Sequence, residues 1–125
     1  MTTKRLYIQI GIATTIALAI IIGSFSWLFV RVNAMNRDLE RLADMRAVQG
    51  ALERLYQDER TFATAGTTCE EGTLVDECTL KKYLPEISTL VDPGDFAYTV
   101  ITKPNADTYA ISFTLEVGTR NLKKG

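Results

Sequence analysis

The sequence predicts an α+β fold, a long N-terminal helix whose second half packs against a small antiparallel β-sheet. Three observations carry that reading. Residues 6–30 hold 18 apolar side chains out of 25 and no charge. From Val32 to Leu55, apolar residues then recur in steps of three and four. Near the C-terminal end, two runs alternate apolar and polar positions with a period of two, separated by turn-forming residues.

Residues 1–5 form a short basic leader with Lys4 and Arg5. The apolar run Leu6 to Val30 would rise about 37 Å as a helix, more than the roughly 30 Å of a bilayer's hydrocarbon core. Its polar members, Gln9, Thr14, Thr15, Ser24 and Ser26, are tolerable in lipid, and Tyr7, Trp27 and Phe29 lie near its two ends, where aromatic belts form. A secretory signal peptide cut near Val32-Asn33-Ala34 is the competing reading. The apolar stretch is much longer than the usual run of about 7–15 residues, and Arg31 sits in the cleavage region, so a retained transmembrane helix is expected.

Residues 31–62 continue the helix as an amphipathic segment. Val32, Met35, Leu39, Leu42, Met45, Val48, Leu52 and Leu55 share one slowly turning face, while Arg37, Asp38, Glu40, Arg41, Asp44, Arg46, Glu53 and Arg54 fill the others as a solvated surface. Its lower half, Leu42 to Tyr56, suits a face packed on its own domain. The upper half, with no domain to cover it, suits a seam for partner helices. The helix is expected to end near Phe62.

Residues 63–95 read as a loop region. Cys69 and Cys78 have eight residues between them, in a Thr-, Gly- and Glu-rich stretch. As a disulfide they would close a small ring, which places this part of the chain outside the cytosol and the N-terminus inside; two separate buried thiols are the alternative. Thr79 reads as the cap of a short turn running to Leu84, and Asp92-Pro93-Gly94-Asp95 is strong turn chemistry. Residues 96–125 read as a β-hairpin head. Phe96, Tyr98 and Val100 form one face of the first strand, and Tyr109, Ile111, Phe113, Leu115 and Val117 one face of the second. That apolar face needs cover, which the helix around Leu52 and Tyr56 supplies; Leu52, Tyr56 and Phe113 are the expected helix–sheet core, with Phe113 the deepest sheet residue.

Composition excludes several function classes. The chain has 125 residues, 14 Lys and Arg against 15 Asp and Glu, and no histidine. Residues 31–125 carry 12 basic and 15 acidic side chains, not the concentrated positive field that a nucleic-acid interface requires. The absence of histidine removes the commonest general base and the commonest transition-metal ligand. Ser88, Ser112, Lys81 and Lys82 have no evident base or oxyanion loop beside them, so neither catalysis nor a cofactor is expected.

The run Arg41-Leu42-Ala43-Asp44-Met45-Arg46-Ala47-Val48-Gln49-Gly50-Ala51-Leu52-Glu53, continued by Arg54-Leu55-Tyr56, resembles the amphipathic helix of bacterial type IV pilins and type II secretion pseudopilins. Leu84-Pro85, Asp92-Pro93, Tyr98-Thr99-Val100, Tyr109-Ala110-Ile111 and Phe113-Thr114-Leu115-Glu116 follow in that family's loop-and-hairpin order. The likeness covers about residues 43–122. It implies a pilin-like fold and a structural subunit of a cell-surface filament or secretion pseudopilus, assembled through its N-terminal helix. The implied partners are the membrane, copies of itself or other pilin-like subunits, and a prepilin peptidase. The implied location is the inner (cytoplasmic) membrane with the head outside, or an extracellular filament. Family members are cut after the Gly of a segment resembling Gly-Phe-Thr-Leu-Ile-Glu. The nearest match is Gly11-Ile12-Ala13-Thr14-Thr15-Ile16, without the Phe and the Glu, which makes Gly11 and Ile12 the candidate processing site. A permanently anchored interaction or sensor module, dimerising through its juxtamembrane helix, is the alternative. Some pseudopilins also bind calcium near the C-terminal end. Asp92, Asp95, Asn105 and Asp107 offer oxygens but lack the spacing of a calcium loop, so no metal is expected.

Overall fold

The computed structural model describes residues 2–65, 69–119 and 121–125. One α-helix, α1, spans Thr2–Glu59, and two strands, β1 (Thr99–Thr102) and β2 (Ala110–Ser112), form an antiparallel pair. The chain divides into two compact units, Met1–Ala34 and Met35–Gly125.

The first unit is helical and uncovered. Every side chain from Thr3 to Val32 is exposed. Three of its hydroxyls are bonded within the helix: Thr14 Oγ1 donates to the Ile10 carbonyl at 3.0 Å, Thr15 Oγ1 to Gly11 at 2.9 Å, and Ser24 Oγ to Ile20 at 2.7 Å. Bonds of this kind remove most of the penalty for placing a hydroxyl in hydrocarbon. The Arg31 guanidinium lies 5.3 Å from the Trp27 ring centre, a cation–π contact at the charged end of the apolar run. This helix is long and apolar enough to cross a membrane.

The second unit is the head. Val48, Leu52 and Leu55 on α1 pack with Ala65, Cys69, Val75, Cys78, Leu80, Ile87, Tyr98 and Val100 in one core. Cys69 and Cys78 form a disulfide, buried in that core rather than displayed on a loop. Helix α1 ends at Glu59, three residues before the expected Phe62. Arg60 takes a left-handed conformation (φ 58°) while its N–H still bonds Tyr56 O. That turn brings Phe62 back onto Tyr56, ring centres 4.8 Å apart, and Phe62 then meets Tyr109 edge-on at 4.9 Å.

The hairpin is shorter than its alternating sequence predicts. Thr99 pairs with Ser112, Val100 with Ile111 and Thr102 with Ala110, with a bulge at Ile101. Residues 113–117 leave the ladder because the N–H groups of Glu116 and Val117 bond the Asp38 carboxylate instead. The outer edge of β1 is paired as well, through Gly72 N–H to Val100 O, Val100 N–H to Thr73 O and Val75 N–H to Tyr98 O. The region expected to be loop with one short helical turn therefore also supplies strand-like cover. It also contains two short 3-10 turns, Val75–Glu77 and Ile87–Thr89.

Of the expected core residues, Leu52 is buried at 1% exposure. Phe113 is half-buried against the core; the deepest strand residue is Val100, with Tyr98, just before β1, buried beside it in the core. Tyr56 is half-buried outside that core, in the stack with Phe62. Phe96, expected on the buried strand face, is exposed.

These placements set a stability order. Leu52→Ala should destabilise the head by about 2–5 kcal/mol, Phe113→Ala by less than Leu52→Ala, and Arg54→Ala by no more than about 0.5 kcal/mol. Cys69→Ser should cost about 2–3 kcal/mol through the freed chain entropy of a small loop. Thermal melts of the full chain in detergent, followed by tyrosine near-UV signals, would measure all four.

Candidate functional site

A buried ionic clamp joins three separated segments of the head. Helix α1 supplies Arg37, Asp38 and Arg41, the Asp92-Pro93-Gly94 turn supplies Asp92, and the C-terminal tail supplies Glu116. Arg41 and Asp38 are buried at 0% and 1% exposure, as deep as the centre of the apolar core. A guanidinium taken out of water is tolerable only when its donors are used, and here they are. Arg41 Nε and Nη2 grip Asp92 at 2.6 and 2.9 Å, a bidentate pair. Nη1 reaches Asp38 Oδ1 at 2.8 Å and Glu116 Oε1 at 2.9 Å. The Phe96 ring lies 5.2 Å from the guanidinium carbon, which explains why this aromatic left the strand face.

The carboxylates are satisfied with equal thoroughness. Asp38 accepts the backbone N–H groups of Glu116 (2.8 Å), Val117 (2.8 Å) and Gly118 (3.0 Å). Such a convergence of successive amides is an anion-binding nest. It needs Gly118, whose φ is +86° and where a Cβ would lie 2.7 Å from the Leu122 carbonyl oxygen. Asp92 Oδ1 accepts Gly94 N–H at 2.8 Å, and a Cβ on Gly94 would stand 2.8 Å from Arg41 Nη2. Arg37 Nε donates to Glu116 at 2.7 Å. Among the described residues, no buried side-chain nitrogen or oxygen lacks a partner.

The electrostatics follow from these contacts. Arg41 holds the Asp92 carboxyl below its ordinary range, against the opposing effect of burial, with the Gly94 amide assisting. Burial pushes the Asp38 carboxyl up, but the three backbone amides and Arg41 outweigh it and leave it lowered. Arg37 and Arg41 lower Glu116, while Asp92 leads the groups that raise Arg41. One turn further along the helix, burial and the bond from Tyr98 Oη to Asp44 Oδ2 (2.8 Å) raise the Tyr98 hydroxyl.

The residues singled out from sequence lie elsewhere. Gly11 and Ile12 are on the exposed helix of the first unit, and no side chain there covers them. Cys69 and Cys78 are in the core. Asp92, read as a turn residue with a spare oxygen, commits both carboxylate oxygens to Arg41. Asn105 Oδ1 accepts the Asp107 and Thr108 amides, a turn-forming role. Among the described residues, no group of three or more His, Cys, Asp or Glu is placed to hold a metal.

Arg41 and Asp38, expected on a solvated face, are the main correction. The covered stripe of α1 runs Asp38, Arg41, half-buried Met45, Val48, Leu52, Leu55, in steps of three and four. The apolar pattern follows it up to Met45 and then departs towards Leu42, Leu39 and Met35. The last two are exposed at 54% and 52%. The spacing itself was the available signal, since two charged residues of opposite sign continue the buried period. Comparison with family models, curated proteins and solved structures found no match for this chain.

The clamp makes the head acid-sensitive. Carboxylates lowered in the folded state stabilise it fully above the unfolded range near pH 4, and that contribution is lost as the pH falls through and below this range. Denaturation midpoints of the full chain should hold between about pH 6 and 8 and fall steeply below about pH 4. Arg41→Ala should cost about 3–5 kcal/mol by stranding buried carboxylates, and should flatten that acid limb. An Arg41→Ala protein that melts like the parent at neutral pH would show that the clamp does not hold the head.

Proposed function

We propose that this chain is a structural, non-enzymatic, pilin-type subunit, anchored in the cytoplasmic membrane and assembled into a surface filament or secretion pseudopilus through its N-terminal helix. One observation carries the reading, namely how α1 is used. Between Asp38 and Leu55 it is the spine of a packed head, whereas from Leu6 to Val30 its large apolar side chains have no cover within the chain. Such a surface is stable only in lipid or against other apolar helices, and a pilin subunit uses both in turn. Met35 and Leu39 are exposed as well, and they offer the seam for neighbouring helices. The order of motifs from Asp44 to Glu116 supports the same reading.

In this reading the helix passes from the bilayer into the filament without refolding, and the head travels as a preassembled body. The disulfide suits a head outside the cytosol, with the N-terminus inside. The partners are the membrane, copies of this chain or related subunits, and a prepilin peptidase acting between Gly11 and Ile12. A second reading rests on the absence of any carboxylate from residues 6–30. Without the family's Glu, the chain would remain a permanent anchor, an interaction or sensor module dimerising through its juxtamembrane helix.

N-terminal sequencing of the mature protein separates the two. The pilin reading expects a start at Ile12, and an intact Met1 on all copies would favour the permanent anchor. Deletion of the gene should abolish or shorten surface filaments, or block secretion through the pseudopilus. Normal filaments and normal secretion after deletion, together with a protein that stays monomeric in detergent, would overturn the assembly role.

A further inference from the structure

The head exposes a small apolar notch with the Asp76 carboxylate in its lining. Leu74, Leu90, Val91, Phe96 and Ala97 line a cavity of about 160 Å³ together with Asp76 and with Asp92, whose carboxylate is committed to Arg41. Leu74, Val91 and Phe96 are exposed at 43%, 68% and 44%. Engineered apolar cavities of about 150 Å³ accept a group the size of benzene, so one large side chain fits. Asp95, beside Phe96, is also exposed. Among the described residues, neither Asp76 nor Asp95 forms an ion pair.

The complementary feature lies on the tail of the same head. Leu122 is an exposed apolar side chain followed directly by exposed Lys123 and Lys124. Neither lysine has an ion-pair partner among the described residues. The tail is not a loose end that could swing onto the notch, because Gly125 exchanges both backbone hydrogen bonds with Leu115 and Thr119 N–H bonds the Leu122 carbonyl. An apolar knob followed by two lysines matches an apolar notch with Asp76 in its lining and with Asp95 on the far side of its Phe96, next to Arg37 and Glu116.

We infer that Leu122 of one copy seats in the Leu74–Val91–Phe96 notch of the next, with Lys123 and Lys124 facing Asp76 and Asp95. Every copy carries both halves, so the contact is heterologous and repeats from copy to copy, as an open array where its rotation does not close and as a ring where it does. The inference rests on the assembly reading above and adds to it a contact between the heads of successive copies. The charges set register and partner choice, and the knob supplies desolvated apolar contact.

The test uses full-length protein in detergent, mixed from ¹⁴N- and ¹⁵N-labelled batches and treated with a zero-length carbodiimide coupler that joins lysine to carboxylate. Mixed-isotope peptide pairs linking Lys123 or Lys124 to Asp76 or Asp95 are expected, because only links between copies carry both labels. Lys123→Glu/Lys124→Glu should lower self-association about tenfold or more, the effect of roughly 1.4 kcal/mol. Mixing that variant with Asp76→Lys/Asp95→Lys protein should restore it. These surface changes lie outside the core, so head melting should be unaffected. Self-association without these isotope-mixed links, or without rescue by the swapped pair, would overturn this contact and leave helix-driven assembly standing. Protein that does not self-associate at all would overturn both.

Discussion

The fold turns on one constraint, that the Arg41 guanidinium is buried and must keep all of its partners. Asp38 approaches from one turn earlier on the helix, Asp92 from a turn fifty-one residues away, and Glu116 from the tail. Each partner carries a piece of chain with it. Asp92 fixes the turn through Gly94, while Asp38 gathers three tail amides and ends the strand pairing after Ser112. Buried ion pairs are weak sources of net stability, since desolvation offsets most of the attraction. Here they hold the tail on the helix in a register in which guanidinium and nest are satisfied together.

The same constraint decides which helix face remains open. With Asp38 and Arg41 turned into the head, Met35 and Leu39 are left outside, although they are more apolar. In the first unit the uncovered surface is far larger. Fifteen large apolar side chains between Leu6 and Val30 are exposed, and burying each fully is worth about 1.5–3 kcal/mol. The total, some tens of kcal/mol, is of the size that obliges a membrane or a helix bundle to cover it. The proposed assembly role follows from that obligation together with the motif order. The head's contribution is to present a rigid body whose lower helix is already satisfied.

Much of this was legible in the sequence. The apolar run, the helix, the hairpin and the Leu52 contact follow from periodicity, which records burial directly. The clamp was not legible as such, because a pattern that scores charges as surface assigns Arg41 and Asp38 to solvent. Their spacing continued the buried period, but the partners Asp92 and Glu116 are close only in the folded head. Phe96 was misplaced for the same reason: its strand alternation is overridden by its contact with a guanidinium that the alternation does not include. The early end of the helix rests on Arg60 in a left-handed conformation, and a non-glycine residue gives no local warning of that.

Amide hydrogen exchange of the full chain in detergent micelles tests the clamp most directly. The amides of Glu116, Val117 and Gly118 sit in a tail with no strand partner, and would exchange freely unless the Asp38 carboxylate holds them. With the clamp in place they should be protected to nearly the level of Val100 in the core, and Asp38→Ala should release all three together while Val100 stays protected. Free exchange of these three amides in the unmodified protein would contradict the clamp and the description of the head built on it.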